Sequence, residues 1–507
     1  MSVATSGLRH LDYAVLGGYY ALLRVPEPLY SGTQQTYFIH GLSETGRGVL
    51  REDWLAGTAD PFPAFSALVD ALAQAPHALF IVYLALYTLY FGSLLHLATT
   101  LTNFQGSRTE GYILGLVLAF SQTQMLGHVA PPLEWLPYTL TTGVAGQFLI
   151  STVLQPSISG LFLLLSLGLF VDGHRYGAVV AACIAAGIHA SFALPAALLI
   201  AGYMAALHKQ DGRWQTPLLV GSLGFLILLP TLLYSLTTFA PTSTETLRQA
   251  QRILVEQRLP HHALPSVWFG WIDLVKLGLI GAAAFVVRRR RTLLVLVPLV
   301  VVGVGGTLLQ VVTGSYGLAL LFPWRVSVVL VPLAGAVLIA ALFQYTATYL
   351  KPQQQQARRL LILTFGALAL AAGTYKLTEQ VERFTHPFHP LTPLEQYVAE
   401  TAASGDLYLI PVGYEEFRLR TMAPTFVDFK SHPYRDVEVL EWAKRIEQAR
   451  AFFAAEGTEA CRQLDALVAA YGITHVVVRA PSPIRGCARL EDNFIAAGGG
   501  IYRVRSE

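Results

Sequence analysis

Charge is scarce in this sequence. Only 13% of its 507 residues are Asp, Glu, Lys or Arg, and the net charge is +3. The basic residues fall in short clusters between apolar runs, which excludes a nucleic-acid patch and leaves membrane topology as what they encode. Cysteine is scarcer still. Three residues exclude a disulfide scaffold and a multi-cysteine metal site. The metalloprotease helix spacing, the phosphate-cradling glycine loop and the G-x-S-x-G elbow are all absent. No internal repeat stands out. The first apolar segment lacks a small-residue cleavage site and carries Arg24, so no cleavable signal peptide is expected.

What is present is apolar length. Hydrophobic residues make up 53% of the chain, and the mean hydropathy is +0.49. Eleven spans are expected, at about 11–29, 79–97, 112–126, 158–171, 178–189, 192–207, 218–236, 272–287, 293–312, 318–343 and 360–375. The stretch 138–154, broken by Gly, Thr and Gln after Pro131 and Pro132, reads as a surface or re-entrant piece. With these spans the basic loops 208–213, 288–291 and 351–359 fall on one side, which the positive-inside rule makes cytoplasmic. The C-terminus is then outside. The glutamines 353–356 read as a short polar linker.

The tail is richer in charge. Segments 406–412 and 474–480 have strand composition, and 435–454 and 458–471 have helical periodicity. This predicts a small α/β domain at 385–507, after a transmembrane domain at 1–384 whose first outer loop covers about 30–77. Cys461 and Cys487 both lie in the tail, either paired or as two buried thiols.

That topology gathers the unusual polar residues on the outer face. The segment 37–68 holds Glu44, Glu52, Asp53 and Asp60. Trp54 and Leu55 are expected to hold Asp53 at the membrane interface. His128 and Glu134 follow in the next outer loop, and His189 at the end of its helix. The loop 237–271 carries Glu245, Arg248, Arg252, Glu256, Arg258, His261 and His262. Arg325 lies at the outer end of a span, and Arg418, Arg420 and Lys430 lie in the tail. Each has a plain reading as well. Arg325 either snorkels beside Trp324 or binds a ligand. His189 is either a helix-packing hydrogen bonder or a metal ligand. Glu52 and Asp53 are either helix-terminal charges or chemistry. In an extended loop, His261 and His262 point apart and make no metal site by themselves.

First-loop carboxylates, about eleven spans, an outer re-entrant piece and an outer α/β tail together resemble the GT-C class of membrane glycosyltransferases. Locally, DWLAGTADPFPAFSAL, RLPHHALPS, FPWRVS and FRLRTMAPTFVDFK resemble a group of uncharacterised large bacterial membrane proteins with this layout. The resemblance implies transfer of a sugar from a polyprenyl-phosphate carrier to a glycan, lipid or protein acceptor outside the cytoplasm, at a bacterial inner membrane. By the same resemblance Asp53 is the base, with Glu52 and then Asp60 behind it; Glu52-Asp53 is the nearest equivalent of the family's acidic motif. Arg258, His261, His262 and Arg325 are candidates for the carrier phosphate, and Arg418, Arg420 and Lys430 for closing the site. A divalent metal is compatible with the class, although no ligand spacing announces one. The rivals are a non-catalytic scaffold or accessory subunit of a membrane complex, and a transporter. Few charges inside the spans and no paired broken helices in two related halves weigh against the transporter.

Overall fold

The computed structural model describes residues 7–290, 292–349, 352–479, 487–496 and 499–505. Arg291, Lys351 and Ala480, included above in two basic loops and a strand, lie outside the described residues, as do the side chains of His128 and Arg358. The chain divides into two compact units. One comprises Met1–Pro26, Phe80–Tyr234 and Val255–Thr385; the other comprises Glu27–Leu79, Ser235–Leu254 and His386–Glu507.

The first unit is helical. Helices lie in all eleven expected places: His10–Leu23, Pro76–Thr102, Arg108–Ser121, Leu161–Val171, Arg175–Ile188, Ala193–Asp211, Gln215–Thr238, Trp271–Val286, Leu293–Thr313, Ser327–Tyr349 and Pro352–Thr385. Six stretches are long and apolar enough to cross a membrane: Pro76–Thr102, Ala190–Asp211, Gln215–Thr238, Leu293–Thr313, Tyr316–Tyr349 and Gln354–Thr385. The protein is a mostly helical chain with the spans of an integral membrane protein. The other five helices have 11 to 16 residues. A straight perpendicular crossing takes about 20 residues. The glutamines 353–356 are no linker, since they lie within the helix Pro352–Thr385. Glutamine is a good helix former, and Pro352 sits in the first turn, where its missing N–H costs nothing.

Small residues let these helices approach closely. A Cβ on Gly17 would lie 2.3 Å from the Thr88 carbonyl oxygen, and one on Gly202 would lie 2.6 Å from that of Val295. Large apolar side chains point outward elsewhere, Val312 being 83% exposed. Such surface is stable only against lipid or another apolar partner. The stretch 138–154 contains no long helix. The helix Trp135–Thr141 ends in a tight loop, where Ala145 has φ 59° and Gly146 φ 62°.

The second unit is α/β. Strands β1 (Tyr408–Leu409), β2 (His475–Arg479), β3 (Leu490–Ala496) and β4 (Gly499–Val504) form one sheet in the order β1-β2-β4-β3. β1 and β2 run parallel; β4 is antiparallel to both β2 and β3. The helices Asp436–Ala454 and Gly457–Tyr471 supply Trp442, Ile446, Phe452, Leu464 and Leu467 to a core shared with Val476 and Val478. Cys461 and Cys487 are joined by a disulfide with Cα atoms 5.5 Å apart, within the ordinary range for this bond.

The tail packs with two earlier stretches. Thr242 donates from its backbone N–H and its hydroxyl to the two Asp436 carboxylate oxygens, each at 2.8 Å. Trp54 and Ile253 pack against the tail's core. The expectation for Trp54 and Leu55 at a membrane interface is corrected. Leu55 is buried, and Trp54 lies under the Arg445 guanidinium, 4.2 Å from ring centroid to carbon. Both have protein partners, Leu55 being enclosed and Trp54 partly buried.

Candidate functional site

The acidic residues belong to the second unit. Asp53 follows a single 3₁₀ turn, Leu50–Glu52, and is 2% exposed. One of its oxygens accepts the Leu55 backbone N–H at 2.8 Å. The other accepts Arg418 Nε and the Thr425 backbone N–H, each at 2.8 Å. Arg418, equally buried, also donates to Asp428. Asp53, Arg418 and Asp428 thus form a buried charged triad joining the first loop to the tail. Glu52 is exposed, yet it accepts the Ser404 hydroxyl at 2.7 Å and the Gly405 backbone N–H at 2.8 Å. These bonds hold its carboxyl below the usual range, the Gly405 bond contributing most.

Asp60 is partly buried and accepts the Phe62 backbone N–H at 2.8 Å. It lies within electrostatic reach of His40, whose imidazole is pushed down by burial against the opposing pull of Asp60 and Asp53. Glu44 is exposed at the end of a short helix. Arg420 donates to Glu395 at 3.4 Å, and the Lys430 carbonyl accepts the Thr36 hydroxyl at 3.2 Å. Arg418 and Arg420 are therefore committed to carboxylates of their own unit.

The cations at the loop 143–147 belong to the first unit. Arg325 follows Phe322, which has φ 48°, on the 3₁₀ turn Pro323–Val326. Its Nε donates to the Ser191 hydroxyl at 3.1 Å, one terminal nitrogen donates to the Gln147 side-chain oxygen, and the other lies 3.5 Å from His189 Nε2. His189 caps the next turn through Ser191. His262 contacts the Ala145 carbonyl oxygen through Nδ1 at 2.7 Å, so that nitrogen carries the proton. Lys276 donates to the Gly143 carbonyl at 2.8 Å, and Asp273 accepts the Ala145 N–H at 3.1 Å. Arg258, at the end of the segment Leu254–Arg258, and His261 are both within electrostatic reach of His262.

The expected divergence of His261 and His262 is corrected. Pro260 opens a helical turn, Pro260–Ala263, and the two rings lie 4.1 Å apart. A helical turn rotates successive side chains by about 100°, where an extended strand alternates them by about 180°. Two of the five non-glycine residues with positive φ among the described residues, Ala145 and Phe322, flank this cluster. Such backbone persists only where its surroundings over-determine it, commonly at ligand sites.

Several of these residues escape the sequence reading. Asp273 and Lys276, three apart in an apolar helix, carry the recognisable signal of ionisable groups at membrane depth. Gln147, Ser191 and Ser327, whose hydroxyl oxygen accepts the Val144 N–H at 2.8 Å, carry none, because their importance comes from tertiary contact alone. Among the described residues no three His, Cys, Asp or Glu side chains are gathered to hold a metal ion.

Burial, with the neighbouring cations, lowers the His262 pKa to about 4. The sign follows directly. Between about 6.5 and 4 the unfolded chain takes up a proton that folded His262 refuses, so stability falls as pH drops through that window. His262→Asn, which keeps a donor for Ala145, should flatten this loss in thermal unfolding measured from pH 7 to 4.

Residues 390–449 match a family described only as a domain of unknown function, DUF6798. That segment holds Arg418, Asp428 and Asp436, the charged anchors of the second unit. No curated protein matches the chain.

Proposed function

We propose that this membrane protein binds a polyprenyl-phosphate-linked sugar and transfers the sugar to an acceptor outside the cytoplasm. One observation carries the reading: Arg325, His262 and Lys276 meet on a single strained loop of the first unit, with His189 beside Arg325. The Arg325 guanidinium is oriented by the Ser191 hydroxyl and the Gln147 side-chain oxygen, and a charged donor held in a fixed geometry suits recognition of an anion. In the reaction the acceptor oxygen bonds to the anomeric carbon. The bond from that carbon to the carrier phosphate breaks, the phosphate keeps the electron pair, and a base takes the acceptor's proton. Cations stabilise the leaving phosphate. Of the three candidate bases, Asp53 is buried in its ion pair with Arg418, Glu52 is exposed and bonded to Ser404 and Gly405, and Asp60 is partly buried within reach of a second titratable group, His40.

The second reading is a non-catalytic subunit that keeps the carrier site. It is favoured by the commitment of Asp53 and Glu52 to contacts within the fold. A transfer assay on the purified protein with a radiolabelled lipid-linked sugar separates the two. Under the first reading Asp60→Asn lowers the transfer rate by about 10²–10⁴-fold with carrier binding intact. No transfer by the wild type with any carrier it binds would favour the second.

The proposed topology has eleven spans, with the tail outside and Arg290 in the cytoplasm. A cysteine at position 290 in intact cells should be protected from an impermeant maleimide and react after permeabilisation. Labelling from outside would overturn the orientation.

A further inference from the structure

A second cationic site, which the sequence reading passes over, lies in the first unit around Arg24. Arg24 follows the helix His10–Leu23 and is partly buried. Its guanidinium carbon lies 5.8 Å from the Tyr87 ring centroid. The groups in electrostatic reach are tyrosines, Tyr20, Tyr83 and Tyr87, and Tyr87 also hydrogen-bonds the Arg24 side chain. No carboxylate pairs with Arg24 among the described residues. Arg24 Nε, the Tyr20 hydroxyl and Gln122 Nε2 are all shielded from solvent and have no hydrogen-bond partner. Tyr20 and Gln122 are fully buried.

The surrounding contacts fix these groups in place. Tyr20 stacks on Phe91 with ring centroids 4.7 Å apart and lies 5.9 Å from Tyr90. Tyr90 donates to Gln122 Oε1 at 3.4 Å, which leaves the amide nitrogen of Gln122 unused. Tyr83 and Tyr87 share a hydrogen bond of 2.5 Å, and Tyr87 donates to the Ser151 carbonyl. A cation without a carboxylate partner and unused donors in an apolar bundle are costly. They persist where a ligand completes them. A planar carboxylate offers two oxygens, whereas a phosphate offers three or more to donors converging from different helices.

We infer that Arg24, Tyr20 and Gln122 form a binding site for a phosphate group, separate from the Arg325 cluster. The phosphate comes from a lipid headgroup or from free phosphate. The site rests on the unused donors around Arg24, so it stands or falls apart from the sugar-transfer reading.

Native mass spectrometry of the full chain tests it, with dodecyl phosphate, dodecanol and inorganic phosphate as probes. Arg24→Gln should bind one molecule of dodecyl phosphate fewer than the wild type, and Arg325→Gln should keep the molecule at the Arg24 site. Tyr20→Phe, which removes only a hydroxyl, should weaken the Arg24 site by about tenfold, as expected for one hydrogen bond to a charged group. Equal retention of inorganic phosphate at this site would identify free phosphate as the source; retention of dodecyl phosphate alone would identify a lipid. Dodecanol bound as tightly as dodecyl phosphate, or the full wild-type number of dodecyl phosphate molecules retained by Arg24→Gln, would overturn the proposal. So would a single wild-type molecule lost on substitution of either arginine.

Discussion

Arg418→Leu should lower the stability of the second unit by about 3–5 kcal/mol, the usual cost of removing one partner from a buried ion pair. The direction follows from the charge count of the triad. Among the described residues Arg418 is the only cation paired with Asp53 and Asp428, and all three are buried. Leucine fills much of the space but leaves two carboxylates facing each other without water. Asp53→Asn is milder, since it leaves a neutral Arg418–Asp428 pair. Its loss is about 1.5–3 kcal/mol, the worth of hydrogen bonds to a charged group. Thermal unfolding of the full chain, followed through tryptophan fluorescence, reads both changes; Trp54 and Trp442 lie at the core the triad supports. If Arg418 and Asp53 served a substrate instead, both variants would unfold like the wild type and lose only binding or rate.

This placement explains what the sequence could and could not yield. The helices are legible because apolar length is a local property, and all eleven segments do form helices. The Asp436–Ala454 and Gly457–Tyr471 helices follow from periodicity in the same way. β3 was not legible: Glu491, Asp492 and Asn493 stand on an edge strand that pairs with β4 alone, so no apolar alternation marks it. The partners of Asp53 were not legible either. Asp53 and Arg418 are separated by 365 positions, and nothing local distinguishes a carboxylate awaiting a substrate from one awaiting an arginine. The first loop drew attention for its dense acidity, and in the fold much of that acidity fastens the loop to the tail. Arg325 was legible as a cation at a helix end, but the Gln147, Ser191 and His189 side chains that aim it were not.

Substituting Arg325 has the second large expected effect. Its guanidinium is oriented by Ser191, Gln147 and His189, and it lies over the Phe192 and Phe322 rings at 5.4 and 6.0 Å. A cation fixed on both its edge and its face loses little freedom when an anion arrives, so most of the contact energy appears as affinity. A charge-assisted contact of about 1.5–3 kcal/mol corresponds to a loss of about 10- to 150-fold. Gln is the informative substitution because it still hydrogen-bonds but carries no charge. A snorkelling arginine would respond differently, since its replacement changes interfacial packing and leaves the affinity for a particular headgroup alone.

The direct test is equilibrium binding of a polyprenyl phosphate to the purified full chain in nanodiscs, comparing wild type with Arg325→Gln at matched thermal stability. The account predicts a rise in Kd of at least about tenfold for the phosphate-bearing lipid and no change for the corresponding polyprenol. Equal Kd values for wild type and variant would contradict it.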